Sequence, residues 1–399
     1  MTKTKEICPA ERLNYVSEYY FSRKLKEIAR LRAEGVDIIS LGIGGPDLPP
    51  PPQAVEAAVE CLQRTDTHGY QMTVGLPELR RAFAAWYERR YGVAGIDPDR
   101  SVLPLIGSKE GVLNIALAFL NPGDGVLVPD PGYPTYTSAS RIALAEVFPY
   151  TLSEENGWEP DFEALEQLPL ERIKLMWVNY PHMPTGTPAS LGLFERLVDF
   201  GRRHGIVIVN DNPYSMILNA RPLSIFNVPG AEEVAIEMNS LSKCLNMAGW
   251  RVGMLVAKPQ FVDWVLRVKS NIDSGQPRAI MEGAISALAA DGSWYDSLNA
   301  EYAARQAICG RIMDALGCSW RPGQQGLFLW GRIPDSEESA EAFADRILAE
   351  KRVFITPGFI FGKAGERYIR ISLCAPQPVL EAALERSEGR GTRGEFLRP

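Results

Sequence analysis

The spacing of apolar positions changes several times along the chain. In "KLKEIARLRAEG" (24–35) apolar residues recur at helical intervals between charges, which predicts an amphipathic helix. "DIISLGIGGPDLPPPP" follows; its proline run predicts an extended connector, because proline lacks an N–H and restricts the residue before it. Near-continuous apolar runs come next: "VLPLI" (102–106), "GVLVPD" (125–130), "AEVFPY" (145–150), "IKLMWVNY" (173–180), "GIVIVND" (205–211), "EVAIEMNS" (233–240) and "VGMLVA" (252–257). Runs without polar alternation suit strands covered on both faces, and the stretches between them, such as "EGVLNIALAFL" and "LGLFERLVDFGRRHG", read as helices. The pattern predicts an α/β fold in which a large domain holds a mostly parallel seven-stranded sheet covered by helices.

After about residue 275 the texture changes. A helix ("WYDSLNAEYAARQAICGRIMDALG") leads to a strand ("GLFLWGRI"), a helix ("SAEAFADRILAEK"), strands "VFITPG" and "RYIRISLCA", and a last helix, which predicts a smaller α+β domain. The expected organisation is an N-terminal arm and helix (1–45) packing on the small domain, a large domain (46–275), a small domain (276–390) and a flexible, charged tail (391–399). A chain of 399 residues is too long for one small core, which agrees with two unequal lobes.

Charge and cysteine usage narrow the function. A formal net charge of −7 argues against nucleic-acid partners, whose phosphates need a basic surface. No run reaches the roughly 18 apolar residues of a membrane span. The opening "MTKTKEICPAERLNYV" has no apolar core ahead of a small-residue cleavage site, so no signal peptide is expected. Six scattered cysteines without a C-x-x-C pair read as reduced thiols in a cytoplasm. Three histidines without an H-E-x-x-H arrangement predict no metal centre. The chemistry then falls to Lys, Arg and Asp or to an organic cofactor.

"PLIGSKEGVLNIALAFL" (104–120) reads as strand, turn and helix, and the helix start offers N–H groups to a phosphate. A plain turn capped by Ser108 fits as well. Neither this segment nor "GIGGPD" completes a dinucleotide fingerprint, since Asp47 stands where the last glycine is needed. "PDPGYPTY" (129–136) puts Tyr133 at the carboxyl edge of the sheet, to stack on a ligand or simply to pack. "IVIVNDNPY" delivers Asp211 at the end of an apolar strand with Tyr214 three residues on; a carboxylate there needs a partner, whether a helix start, an arginine or a protonated ring nitrogen. "SLSKCLNMAGWRVG" (240–253) brackets Lys243 with serines and adds Arg251, an amine able to form Schiff bases beside a fork suited to phosphate. Its S-x-x-K also matches a serine acyl-enzyme signature, but no S-D-N or K-T-G follows. "ERYIRISLCA" carries Arg370, a candidate for binding a carboxylate or for an ordinary ion pair.

Taken in order with "NYPHMPTG" (179–186), these segments resemble the pyridoxal-phosphate enzymes of fold type I, and more narrowly the class I/II aminotransferases in the branch of LL-diaminopimelate, alanine and methionine aminotransferases. The resemblance runs from "LGIGGPD" to Arg370. It implies transfer of an amino group from an L-amino acid to a 2-oxo acid in a ping-pong cycle, with carbon–sulfur β-lyase chemistry as the alternative on the same scaffold. A nicotinamide dehydrogenase lacks its glycine fingerprint here, and a regulator without turnover leaves the Lys–Asp–Arg set unexplained.

Carried onto this sequence, the resemblance implies that Lys243 holds the cofactor covalently and shuttles a proton, Asp211 keeps the pyridine nitrogen protonated, Tyr214 bonds the phenolic oxygen and Tyr133 stacks on the ring. Ser108, the Lys109 backbone, Ser240 and Arg251 hold the phosphate. Tyr70 reaches the phosphate of a neighbouring subunit, which makes the working unit a homodimer with shared sites. Arg370, the backbone of Gly44 and Asn179 take the substrate carboxylate. Met183 stands where the family carries asparagine, and a thioether cannot donate a hydrogen bond; altered cofactor electronics or ring tilt are expected, with Asn179 or a water compensating. The family turn implies a cis bond at Met183-Pro184. Tyr15, Tyr19, Tyr20 and Phe21 are candidates to line the pocket or to pack on a partner subunit.

Overall fold

The computed structural model of the chain describes residues 7–15 and 20–390. Tyr19, the tail 391–399 and the side chains of Tyr20 and Phe21 lie outside it. In chain order the strands are Ile39–Ser40 (β1), Val102–Leu105 (β2), Gly125–Asp130 (β3), Glu146–Thr151 (β4), Ile173–Val178 (β5), Val207–Asp211 (β6), Ala235–Ser240 (β7), Gly253–Ala257 (β8), Ser319–Trp320 (β9), Phe328–Arg332 (β10), Val353–Phe354 (β11), Thr356–Pro357 (β12) and Tyr368–Ser372 (β13). The seven apolar runs become one seven-stranded sheet in the order β2-β8-β7-β6-β5-β3-β4. It is parallel from β7 to β4, and β8 runs antiparallel to both β7 and β2.

Both faces of this sheet are covered, which explains why its strands show no polar alternation. Val126, Val128, Leu175 and Trp177 pack under helices Ser108–Phe119, Pro134–Ile142 and Pro259–Lys269 through Val112, Ile115, Tyr136, Phe261 and Val265. Leu127, Met176 and Ile208 face the opposite way, toward Phe83 and Trp86 of helix Pro77–Tyr91 and Phe194 and Leu197 of helix Leu191–His204. The parallel strands β6 and β7 therefore end side by side, the usual ligand edge of such sheets, with Asp211 and Ser240 as their last residues.

The remaining strands frame that edge. An antiparallel sheet of order β12-β13-β10-β9 carries Arg370 on β13. "VFITPG" divides around Ile355: β11 pairs in parallel with β1, and β12 pairs with β13. The first helix, Tyr20–Ala33, and the strand after it place Ile28 and Ile38 against Leu348 and Phe354. Segment 41–47 is thereby fixed over the carboxyl edge: Leu41 N donates to Phe354 O (2.8 Å), Ser372 N to Leu41 O (2.8 Å) and Thr356 Oγ1 to Gly42 O (3.0 Å). At its far end Arg305, 2% exposed on helix Gly292–Ala315, holds Asp47 through two contacts of 2.6 and 3.0 Å. Among the described residues no helix is long and apolar enough to cross a membrane.

Candidate active site

The carboxyl edge opens into a cavity of about 410 Å³ that brings together Gly44, Ser108, Lys109, Tyr133, Asn179, Asp211, Tyr214, Ser240, Lys243, Arg251 and Arg370. Tyr70 lies elsewhere, 96% exposed on the surface.

Lys243 reaches the cavity because β7 stops at Ser240, whose hydroxyl caps the single helical turn Leu241–Cys244 by accepting from Ser242 N at 3.2 Å. Its Nζ donates to Gly44 O at 2.7 Å. Burial lowers the pKa of this amine; the charges of Arg370 and Arg251 act in the same direction, and Asp211 opposes them. More of it is therefore neutral, and nucleophilic, than of an exposed lysine.

Asp211 is 4% exposed. Its Oδ2 accepts from Tyr136 Oη at 2.9 Å, while its Oδ1 is buried without a partner. Burial pushes its pKa from 3.8 to about 6, against the opposing pull of the Tyr136 hydroxyl and the Lys243 charge. An unpartnered buried oxygen on a carboxylate is costly and marks a place for a donor. Tyr136 itself stacks on Trp177, with centroids 5.2 Å apart and planes 5° apart, and meets Tyr133 edge-on at 5.5 Å. Tyr214 contacts Phe328 edge-on at 6.0 Å, and burial raises its phenolic pKa.

A second cation marks the opposite end. Arg251 is held with φ 56°, donating through Nη1 to Ala248 O (2.9 Å) and Ser242 Oγ (3.4 Å). Its guanidinium lies against Gly107, where a Cβ would sit 2.0 Å from Nη2 and where φ is +73°. Glycine is needed there on both counts. Gly107, not Ser108, is the N-cap of helix Ser108–Phe119, and no side chain caps it. The reading of Ser108 as the cap is thus overturned, and the helix start is left open toward the cavity.

At the third corner Arg370, 5% exposed, lies 3.8 Å from the Phe328 ring centroid and 4.6 Å from that of Phe361. Its Nη2 donates to Gly42 O (2.9 Å) and its Nη1 to Met183 Sδ (3.3 Å). Asn179 ties the neighbouring turn to the end of β6: Nδ2 donates to Asp211 O, and Oδ1 accepts from Met183 N at 2.8 Å. The Met183-Pro184 bond is cis, as are Asp130-Pro131 and Tyr180-Pro181. His182 beside it is buried, and burial holds its pKa at about 3, so the ring is neutral.

Two residues of this site escaped the reading of the sequence. Tyr136 follows Tyr133 at a helical interval that puts both on one side of the turn, the signal that could have found it. Ser242 sits directly before Lys243 and was passed over for Ser240, whose hydroxyl is engaged with Ser242 N and Val252 O.

The family described as aminotransferase class I and II matches residues 36–386. An LL-diaminopimelate aminotransferase of Dehalococcoides mccartyi is 42% identical over 380 residues, covering 94% of this chain and 97% of the relative. One from Aquifex aeolicus is 39% identical over 379 residues, covering 94% and 97%. The solved structure of apo-BacF from Bacillus subtilis superposes with a TM-score of 0.91 at 34% identity, covering 96% of this chain and 98% of that one. A probable N-succinyldiaminopimelate aminotransferase from Thermus thermophilus gives a TM-score of 0.85 at 34% identity, covering 93% and 99%.

Proposed function

Since the chain belongs to the class I and II aminotransferases and is a pyridoxal-phosphate-dependent transaminase, we propose that Lys243, Asp211 and Tyr214 are its catalytic set and that Arg370 receives the α-carboxylate of both substrates. The unpartnered Asp211 Oδ1 carries this reading, because it offers a buried anion to a cationic ring nitrogen across the same cavity that Lys243 enters. The cavity residues fit the cofactor: an open helix start and Arg251 for a phosphate, aromatic Tyr133 for a ring face, and an amine for a carbonyl.

Bound there, pyridoxal phosphate supplies a carbonyl that joins amines and a ring that withdraws electrons. The Ser108 and Lys109 backbone, Ser242 and Arg251 would cradle the phosphate, with Ser240 joining if its hydroxyl turns from Val252 O. Asp211 Oδ1 would accept the ring N–H while Tyr136, donating to Oδ2 at 2.9 Å, keeps that carboxylate from turning, and Tyr214 would donate to the phenolic oxygen. Asn179 holds the turn that forms the substrate wall. Lys243 Nζ, at the cavity wall and donating to Gly44 O at 2.7 Å, would be the base that takes the proton from the substrate Cα.

The first donor to test is LL-diaminopimelate, the amino acid named for the relatives, with 2-oxoglutarate as acceptor. Glutamate formed in proportion to donor consumed supports the assignment. A donor panel with no such coupling sinks it.

The reading extends to a homodimer in the cytoplasm. Tyr70, Met72 and Leu62 are 96, 73 and 58% exposed, an apolar surface suited to a second copy. Tyr70 there extends to the partner's phosphate. Sedimentation of a monomer at assay concentrations contradicts this part alone.

A further inference from the structure

The wall beside Arg370 contains a residue that the mechanism leaves unused. Met183 lines the cavity at 5% exposure. Its thioether accepts from Arg370 Nη1 at 3.3 Å, while Nη2 is committed to Gly42 O at 2.9 Å. With the Phe328 and Phe361 rings against it, the guanidinium is oriented before any ligand arrives. A buried cation needs acceptors in the resting site. An amide or carboxylate oxygen meets that need firmly and competes with substrate; a thioether is a weak acceptor and competes little.

We propose that Met183 is a positioning residue whose sulfur holds Arg370 in register in the resting site and yields Nη1 to an incoming carboxylate. This rests on the reading of Arg370 as the carboxylate site. The acceptor at 183 then sets the affinity for amino donor and 2-oxo acid together, because both carry that carboxylate.

The test uses the holoenzyme and measures KM and kcat for one donor and one 2-oxo acid. Met183→Leu keeps the volume but removes the sulfur, so an incoming carboxylate no longer has to displace it from Nη1; KM for both substrates is expected to fall about threefold. Met183→Gln offers an amide oxygen, and KM for both is expected to rise about tenfold. In each case the effect falls on KM rather than on kcat. A packing role gives no such opposition of sign, so shifts in the same direction, or a shift for only one substrate, overturn the proposal. If one variant does not fold, the sign shown by the other decides. Arg370→Ala separates the two levels: unchanged KM values in that variant sink the carboxylate reading itself, whereas raised values with no opposed Met183 shifts sink only the role of Met183.

Discussion

Replacing Asp211 with asparagine separates the cost of burying a carboxylate from its purpose. In the cofactor-free protein burial raises the Asp211 pKa from 3.8 to about 6. For an acid raised in this way, the folded state loses stability as pH climbs, because the unfolded chain gives up its proton first. With these two values the loss is roughly 2 kcal/mol at pH 5 and roughly 3 kcal/mol at pH 8. Asparagine stays neutral throughout, and its carbonyl can accept the Tyr136 hydroxyl that now bonds Oδ2 at 2.9 Å. Cofactor-free Asp211→Asn is therefore expected to gain on the native protein by on the order of 1 kcal/mol more at pH 8 than at pH 5, read from urea midpoints at constant slope. Its affinity for pyridoxal phosphate should fall about ten- to hundredfold, since a hydrogen bond to a charged group is exchanged for a neutral one. A stability difference flat in pH, or an unchanged affinity by titration, refutes the placement of a buried anion opposite the ring nitrogen.

Three further outcomes follow. The rate at which the cofactor-free protein binds pyridoxal phosphate covalently should rise with pH and level off below the ordinary lysine pKa of 10.5, because burial lowers that of Lys243; stopped-flow absorbance reads it, and a rise that continues past 10.5 contradicts the burial. Gly107→Ala should weaken cofactor binding and cost on the order of 1–3 kcal/mol, since its Cβ meets Arg251 at 2.0 Å and φ is +73°; equal affinity in a cofactor titration sinks the phosphate cradle. Asp47→Ala should destabilise the protein by about 3 kcal/mol in urea unfolding, by stripping Arg305, 2% exposed, of its bidentate partner; a loss below about 1 kcal/mol means that Glu301 at 2.7 Å and Leu373 O at 3.1 Å satisfy the guanidinium.

Much of the fold was legible because strands buried on both faces are written as continuous apolar runs, and those from "VLPLI" to "VGMLVA" all joined one sheet. What stayed hidden depends on partners distant in the chain. β1 is two residues long and pairs with β11 only because the N-terminal segment meets the C-terminal part; nothing local marks it, whereas β11 lies within the predicted strand "VFITPG". That Lys243, Asp211, Arg251 and Arg370 line one cavity was readable from residue type and order. The open cap at Gly107 was not, because the Arg251 side chain that lies against it comes from a different turn. Tyr136 was hidden for a related reason: its hydroxyl matters only once β6 brings Asp211 to the helix that follows β3.

In the proposed function Lys243 is the amine that takes the cofactor. Protein loaded with pyridoxal phosphate, reduced with borohydride, digested and mapped by mass spectrometry tests this directly. The predicted result is one stoichiometric adduct on the peptide containing Lys243. An adduct on Lys109 or on a surface lysine in its place, or none at all, contradicts the account.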